Sequence, residues 1–152
     1  MFRPGVCSGP TLYSDLDNVI AAPLDCLLSI PRHPIVMLDD RREEGMPNGG
    51  FMLFEPSLMP DLWSEYADNP LAVESEFSVW PHAADQAFIA DRVRKAGGTV
   101  RLAQRFLGPG RILNARSELH AGVDWSNAML VYGSWHPKPH ESTHPFYAEH
   151  WR

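Results

Sequence analysis

The chain is poor in cysteine: Cys7 and Cys26 are the only two, and their spacing matches no metal motif. That excludes a disulfide-dense scaffold and a cysteine zinc module. It predicts free thiols in a reducing compartment, a single bridge being the lesser alternative. No stretch approaches the roughly 18 apolar residues of a membrane span. The opening Met1-Phe2-Arg3-Pro4-Gly5 lacks the apolar run of a secretory signal, so the expected location is cytoplasmic. Basic clusters are also missing. The 13 Lys and Arg are scattered and the formal net charge is −6, which argues against a nucleic-acid partner. Phosphates of a nucleotide can still be held locally by one well-placed cation. No repeat or low-complexity tract is present.

What is there suits a folded domain. At 152 residues, with 44% hydrophobic and 21% charged positions, the chain is expected to form one domain over 1–152 with a real core. Fourteen prolines and eleven glycines predict much loop. Strands are expected at Thr11-Leu12-Tyr13, Ile35 to Leu38, Gly50 to Phe54, Thr99 to Leu102 and Met129 to Tyr132. Leu24 to Ile30 reads as one or two helical turns after Pro23. Ser57 to Ala67 reads as a helix capped by Ser57, with Leu58, Leu62 and Tyr66 on one face. The clearest helix runs from about Ala83 to Ala96, with Ala84, Phe88, Ile89 and Val93 inward and Gly97-Gly98 as its stop. Arg105 to Asp124 reads as a long loop with at most a short strand, and Pro145 to Trp151 as a final turn. Alternating strands and helices predict an α/β fold.

Four places carry candidate chemistry. Asp15-Leu16-Asp17 follows an apolar strand, where two carboxylates one residue apart can both reach a hard divalent cation; a solvated corner is the plain alternative. Asn48-Gly49-Gly50 is a turn signal, or a place where the backbone approaches a ligand closely with Asn48 as a polar hand. Asp85-Gln86 opens the best helix: either the acid serves the helix dipole, or the pair grips sugar hydroxyls. In Trp135-His136-Pro137-Lys138-Pro139-His140, the prolines forbid the helix that would make His136, His140 and His144 a zinc site. Lys138, stiffened by its two prolines, is better placed as a fixed cation for a phosphate.

The order of these places adds to each of them. Tyr13-Ser14-Asp15-Leu16-Asp17, Pro23-Leu24-Asp25, Asn48-Gly49-Gly50-Phe51-Met52-Leu53-Phe54, Asp85-Gln86 and Lys138-Pro139 follow one another along the chain. This succession resembles the GT-A-type glycosyltransferases, family 8 and related retaining enzymes above all, from about Phe2 to Glu141. The resemblance implies a Rossmann-like mixed sheet flanked by helices and transfer of a hexose from a nucleotide-diphosphate sugar, a UDP-sugar first, to a sugar or other hydroxyl acceptor. It implies Mn²⁺ (or Mg²⁺) on Asp15 and Asp17, and Lys138 on the donor diphosphate. Asn48, Gly50, Asp85 and Gln86 would line the donor-sugar pocket, Asp85 and Gln86 being the catalytic candidates and Gln86 facing the anomeric carbon.

Two departures qualify it. Alignment on Lys138-Pro139-His140-Glu141 puts Ser134 where relatives carry a third metal ligand, while His136 sits in another register and is the alternative. Only fourteen residues precede Asp15, where GT-A enzymes carry the βαβ half that holds the nucleoside. The expectation is therefore an incomplete GT-A fold, inactive alone or completed by a partner chain, with an apolar sheet edge that favours a homodimer. Two rivals remain. A degenerate glycosyltransferase module would bind a partner or sugar without turnover, Trp63, Trp80, Trp125, Trp135 and Trp151 being either stacking groups or core anchors. A haloacid-dehalogenase-like phosphatase would use Asp15 as nucleophile and Asp17 as acid/base. It would need a later strand ending in an acidic pair; Asp39-Asp40 comes too early, and Glu118 and Asp124 stand alone.

Overall fold

The structure, a computed structural model, describes residues 2–3, 5–30, 33–40, 46–78, 85–133 and 138–151. Its strands are β1 (Thr11–Ser14), β2 (Val19–Ile20), β3 (Ile35–Asp39), β4 (Pro47–Phe54), β5 (Val100–Leu102), β6 (Ile112–Asn114) and β7 (Leu130–Tyr132). Its helices are α1 (Leu62–Asp68), α2 (Pro70–Glu76), α3 (Asp85–Lys95) and α4 (Pro145–His150). They build two mixed sheets. The first has the order β1-β4-β3-β5, with β4 antiparallel to both neighbours and β5 parallel to β3. The second has the order β2-β7-β6, with β2 antiparallel and β6 parallel to β7. The class is mixed α/β, as expected.

Side-chain alternation along the strands sets the layers. All five residues of β3 are buried, as a strand covered on both faces requires. Val36 and Leu38 join Phe51, Ile112, Leu130 and Tyr132 in a core shared by the two sheets. Ile35 and Met37 point the other way, into a core with Met52, Phe54, Leu62, Val73, Phe88, Ile89 and Val93 under α1, α2 and α3. The far face of the second sheet packs Val19, Leu113 and Val131 against Leu119, Phe146 and Tyr147. Helices, sheet, sheet and α4 thus succeed one another. The buried apolar residues of α3 contribute about 1.5–3 kcal/mol each.

Helix α3 ends as its glycines predict. Gly97 has φ of 78°, Gly98 N–H donates to Val93 O and Gly97 N–H to Arg94 O, both at 2.9 Å. This is the paired closure that a left-handed residue after a helix permits. The expected start at Ala83 and Ala84 lies outside the described residues.

Elsewhere the structure corrects the expectations. No helix starts at Ser57: Pro56–Leu58 is a single 3₁₀ turn, and α1 begins only after Pro60. Its cap is Asp61, whose Oδ1 accepts from Ser64 N–H at 3.0 Å. A second helix, α2, follows at once, started by the Asn69 cap and Pro70. Asn48-Gly49 is not a tight turn either, because β4 begins at Pro47. The register shifts there: Met37 faces Met52 but Leu38 faces Asn48. Residues 49–51 therefore bulge off β3, which small residues permit. Within Arg105 to Asp124, β6 is the short strand allowed for, and it runs into a wide π-type turn over Ala115–Leu119. No helix among the described residues is long and apolar enough to cross a membrane.

Candidate functional site

Beyond β1 the chain makes one more sheet bond, Asp15 N–H to Gly50 O at 2.8 Å, and then turns. Asn18 N–H donates back to Asp15 O at 3.3 Å, closing a four-residue turn with Leu16 at its tip, 95% exposed. Asp15 and Asp17 are carried on this turn.

Asn18 fixes the turn in place. Its Nδ2 donates to Gly50 O at 2.6 Å and to Ser14 Oγ at 3.0 Å, and its Oδ1 accepts from Gly133 N–H at 3.4 Å. One buried carboxamide thus ties β1, β4 and the chain leaving β7. A second tie crosses between the sheets, where Tyr132 Oη donates to Asp39 O at 2.8 Å. Gln104 extends the β3–β5 ladder: its Oε1 accepts from Asp39 N–H at 2.9 Å.

Asp17 meets Lys138, whose Nζ lies 2.5 Å from Oδ2. The lysine is held by a reciprocal turn: its N–H donates to Glu141 Oε2 at 2.9 Å, and Glu141 N–H donates to Lys138 O at 2.9 Å. Gly133 backs the same carboxylate. A Cβ there would stand 2.9 Å from Asp17 Oδ2 and 3.2 Å from Asp17 O, closer than side chains pack. Tyr147, buried on α4, lies within electrostatic reach; burial first, and the Asp17 charge second, push its phenol up.

Asp15 accepts from Tyr13 Oη at 2.6 Å. That bond, then burial, then the charges of Asp15, Asp85 and Asp17, push the Tyr13 phenol up to about 12 and keep it a proton donor at neutral pH. Three carboxylates therefore share one neighbourhood, with the Lys138 ammonium on Asp17. Gly50 leaves room beside Asp15, since a Cβ would meet Asn48 Oδ1 at 3.0 Å and Asp15 Oδ2 at 3.3 Å. Asn48 Oδ1 accepts from Gly50 N–H at 2.9 Å, holding the bulge.

Gln86 reaches the same bulge from α3: its Oε1 accepts from Gly49 N–H at 3.0 Å. Asp85 Oδ1 accepts from Gln86 N–H at 2.8 Å, in the first turn where an acid is favoured. The fold brings Asp15, Asp17, Gly50 and Lys138 to one place. It sets Asn48 on the adjoining bulge, which Gln86 meets from α3, and puts Asp85 within electrostatic reach of Tyr13. His136 and Ser134, the two claimants for a third metal position, lie outside the described residues, as do Trp80 and Trp135. Trp125 is a packing anchor, its ring centroid 5.6 Å from that of Phe146.

A hard cation fits this donor set in one way. No group of three or more His, Cys, Asp or Glu assembles among the described residues. Mg²⁺-type ions are nevertheless commonly bound through one or two carboxylates plus substrate phosphates, and Asp15 and Asp17 stand on one turn with Asp15 exposed. Asp15 and Asp17 would hold such an ion.

Sequence reasoning assigned no role to Tyr13, Asn18, Gly133 or Tyr147. Asn18 had a signal, a turn-favouring residue just after the acidic pair and before apolar Val19. Gly133 had a weaker one, a lone glycine ending an apolar strand. Neither a scan of protein-family models nor a search of curated proteins gives a match to this chain.

Proposed function

We propose that this chain binds the diphosphate of a nucleotide sugar, a UDP-sugar first, and transfers its hexose to a hydroxyl acceptor with the help of Mn²⁺ or Mg²⁺. The observation that carries this reading is the Lys138–Asp17 pair on the turn whose other carboxylate, Asp15, packs on Gly50: an acidic pair for the cation and a fixed ammonium for the phosphates. When bound, the cation supplies Lewis-acid stabilisation of the departing diphosphate. Lys138 would neutralise the same group once its Nζ is free of Asp17. Asn48, Gly50, Asp85 and Gln86 line the sugar side. The acceptor oxygen bonds to the anomeric carbon as that carbon's bond to the diphosphate breaks. The electron pair leaves with the diphosphate, which also takes up the hydroxyl proton. Retention follows from the family 8 resemblance, and an incomplete GT-A sheet awaiting a partner segment is the fold reading that goes with it.

One observation favours the non-catalytic rival. Asp85 Oδ1 is engaged by the helix start and Gln86 Oε1 by the bulge, each through a backbone N–H, which suits holding structure better than attacking a sugar. Thermal unfolding with Mn²⁺ and a panel of nucleoside diphosphates tests the donor site, beside a double Asp15→Ala, Asp17→Ala variant. A metal-dependent rise in Tm with one diphosphate, lost in the variant, is expected. No rise from a cooperatively folded protein overturns the donor reading. Metal-dependent binding without sugar release selects the non-catalytic module, and phosphate release from an aryl phosphate selects the phosphatase.

A further inference from the structure

A cavity of about 380 Å³ lies between α1, α2 and the start of α3, within the roughly 300–1,000 Å³ of small-molecule sites. Its accessible wall is almost entirely apolar, formed around Val73, Phe77 and Phe88, with Tyr66, Glu74 and Asp85 also lining it. Tyr66 Oη donates to Glu74 Oε1 at 3.0 Å, and that bond pushes the phenol up, so it stays neutral. The rings are held from behind. The Arg92 guanidinium carbon stands 5.2 Å from the Phe77 centroid and 5.3 Å from that of Phe88. Arg92 is itself clamped by Glu65 at 2.5 Å and Glu76 at 2.9 Å. The two rings are therefore fixed in place, which lowers the ordering cost of binding.

Its position gives it a task. Asp85 lines the cavity, and Gln86, next to it in α3, accepts from Gly49 N–H on the bulge whose Gly50 packs against Asp15. One step along α3 thus separates the cavity's lining from the sugar side of the candidate site. We infer that it holds the body of the acceptor: a neutral aryl or alkyl compound with its hydroxyl end at Asp85. An apolar wall rewards carbon surface removed from water, while Glu74 and Asp85 repel an anion. This inference rests on the transfer reading above.

The test is calorimetric titration of the full chain with phenyl β-glucoside, methyl β-glucoside and phenyl phosphate. Saturation-transfer NMR on the phenyl glucoside shows which of its protons touch protein. The expected result is phenyl glucoside binding at least about tenfold tighter than the methyl compound, with strongest saturation on the ring protons and no binding of phenyl phosphate. A Ser78→Trp variant, which fills the exposed rim, should remove that preference while its Tm stays near the parent's. Equal affinity for the two glucosides, saturation confined to the sugar protons, or tight phenyl phosphate binding overturns the assignment. Diphosphate-induced Tm shifts in the same samples separate the two ideas. A shift without aryl preference rejects this pocket and leaves the donor site standing. Aryl preference without any shift rejects the acceptor role together with the transfer reading.

Discussion

The Lys138 ammonium and the Asp17 carboxylate meet at 2.5 Å across 121 positions of chain. Both groups are partly exposed, so the pair stabilises the fold by no more than about 1 kcal/mol. An Asp17→Asn variant should accordingly lose little in urea unfolding. The same variant should lose the Mn²⁺-dependent thermal response to a nucleoside diphosphate. Retention of that response would show that Asp17 has no part in binding.

Asn18 is a different case. Removing its carboxamide takes the acceptor from Gly133 N–H and leaves Gly50 O with Asp15 N–H alone, around a buried side chain. Asn18→Ala should cost about 1–3 kcal/mol, read as a lowered urea midpoint at unchanged slope. A midpoint within error of the parent would mean that the carboxamide does not pin the turn.

Glycine substitutions offer an internal control. Gly133→Ala drives a methyl into Asp17, including its backbone oxygen, and should cost about 1–3 kcal/mol while displacing the carboxylate. Gly108→Ala meets nothing within 4 Å and should be neutral or stabilising by about 0.4–1 kcal/mol. Equal Tm values for the two variants would remove the case for close approach at Gly133.

Acid should weaken the fold through His144. Its Nδ1 accepts from Phe146 N–H at 3.2 Å, capping α4, and burial first, then His120, hold its pKa below the ordinary value of about 6.5. The folded state then binds fewer protons than the unfolded chain. The contribution is intact above about pH 6.5 and is lost as pH falls below it, at no more than about 1.4 kcal/mol per pH unit for this group. His120, His150 and Tyr147 pack around the same rings. His144→Asn keeps a capping oxygen without the titration and should flatten the acid limb of a stability-against-pH curve. An unchanged limb would assign the acid sensitivity to other groups.

Among the described residues β1 is an edge strand, and Leu12 on it is 45% exposed. Pairing of two such edges would give the expected dimer, and a Leu12→Lys charge should oppose it. Sedimentation at micromolar concentration distinguishes the parent from this variant. A sharp monomer for the parent chain counts against the edge.

The elements legible in the sequence were those whose pattern is local. The run Ile35 to Leu38 read as a strand and is one, and Phe88, Ile89 and Val93 before Gly97-Gly98 declared α3 and its end. Helix α1 was expected from Ser57 because the spacing of Leu58, Leu62 and Tyr66 hid the break at Pro60, and α2, started by Asn69 and Pro70, was not expected. The bulge at Gly49 was hidden for another reason: a register shift depends on what β3 presents opposite. At the site, Asp15, Asp17 and Lys138 were legible from residue type and order. Asn18 and Gly133 were not, because their roles exist only once residues 115 positions apart are in contact.

That last contact has a bearing on how the chain acquires its site. The acidic turn hangs from one sheet, whereas Gly133 and Lys138 follow the last strand of the other. Neither sheet alone carries the whole constellation. Joining them closes most of the chain into one loop, a step that is entropically late and slow in a folding reaction. Ligand competence should therefore appear only after both sheets have docked, so that binding reports on complete folding and a half-folded chain, however ordered its helices, stays silent.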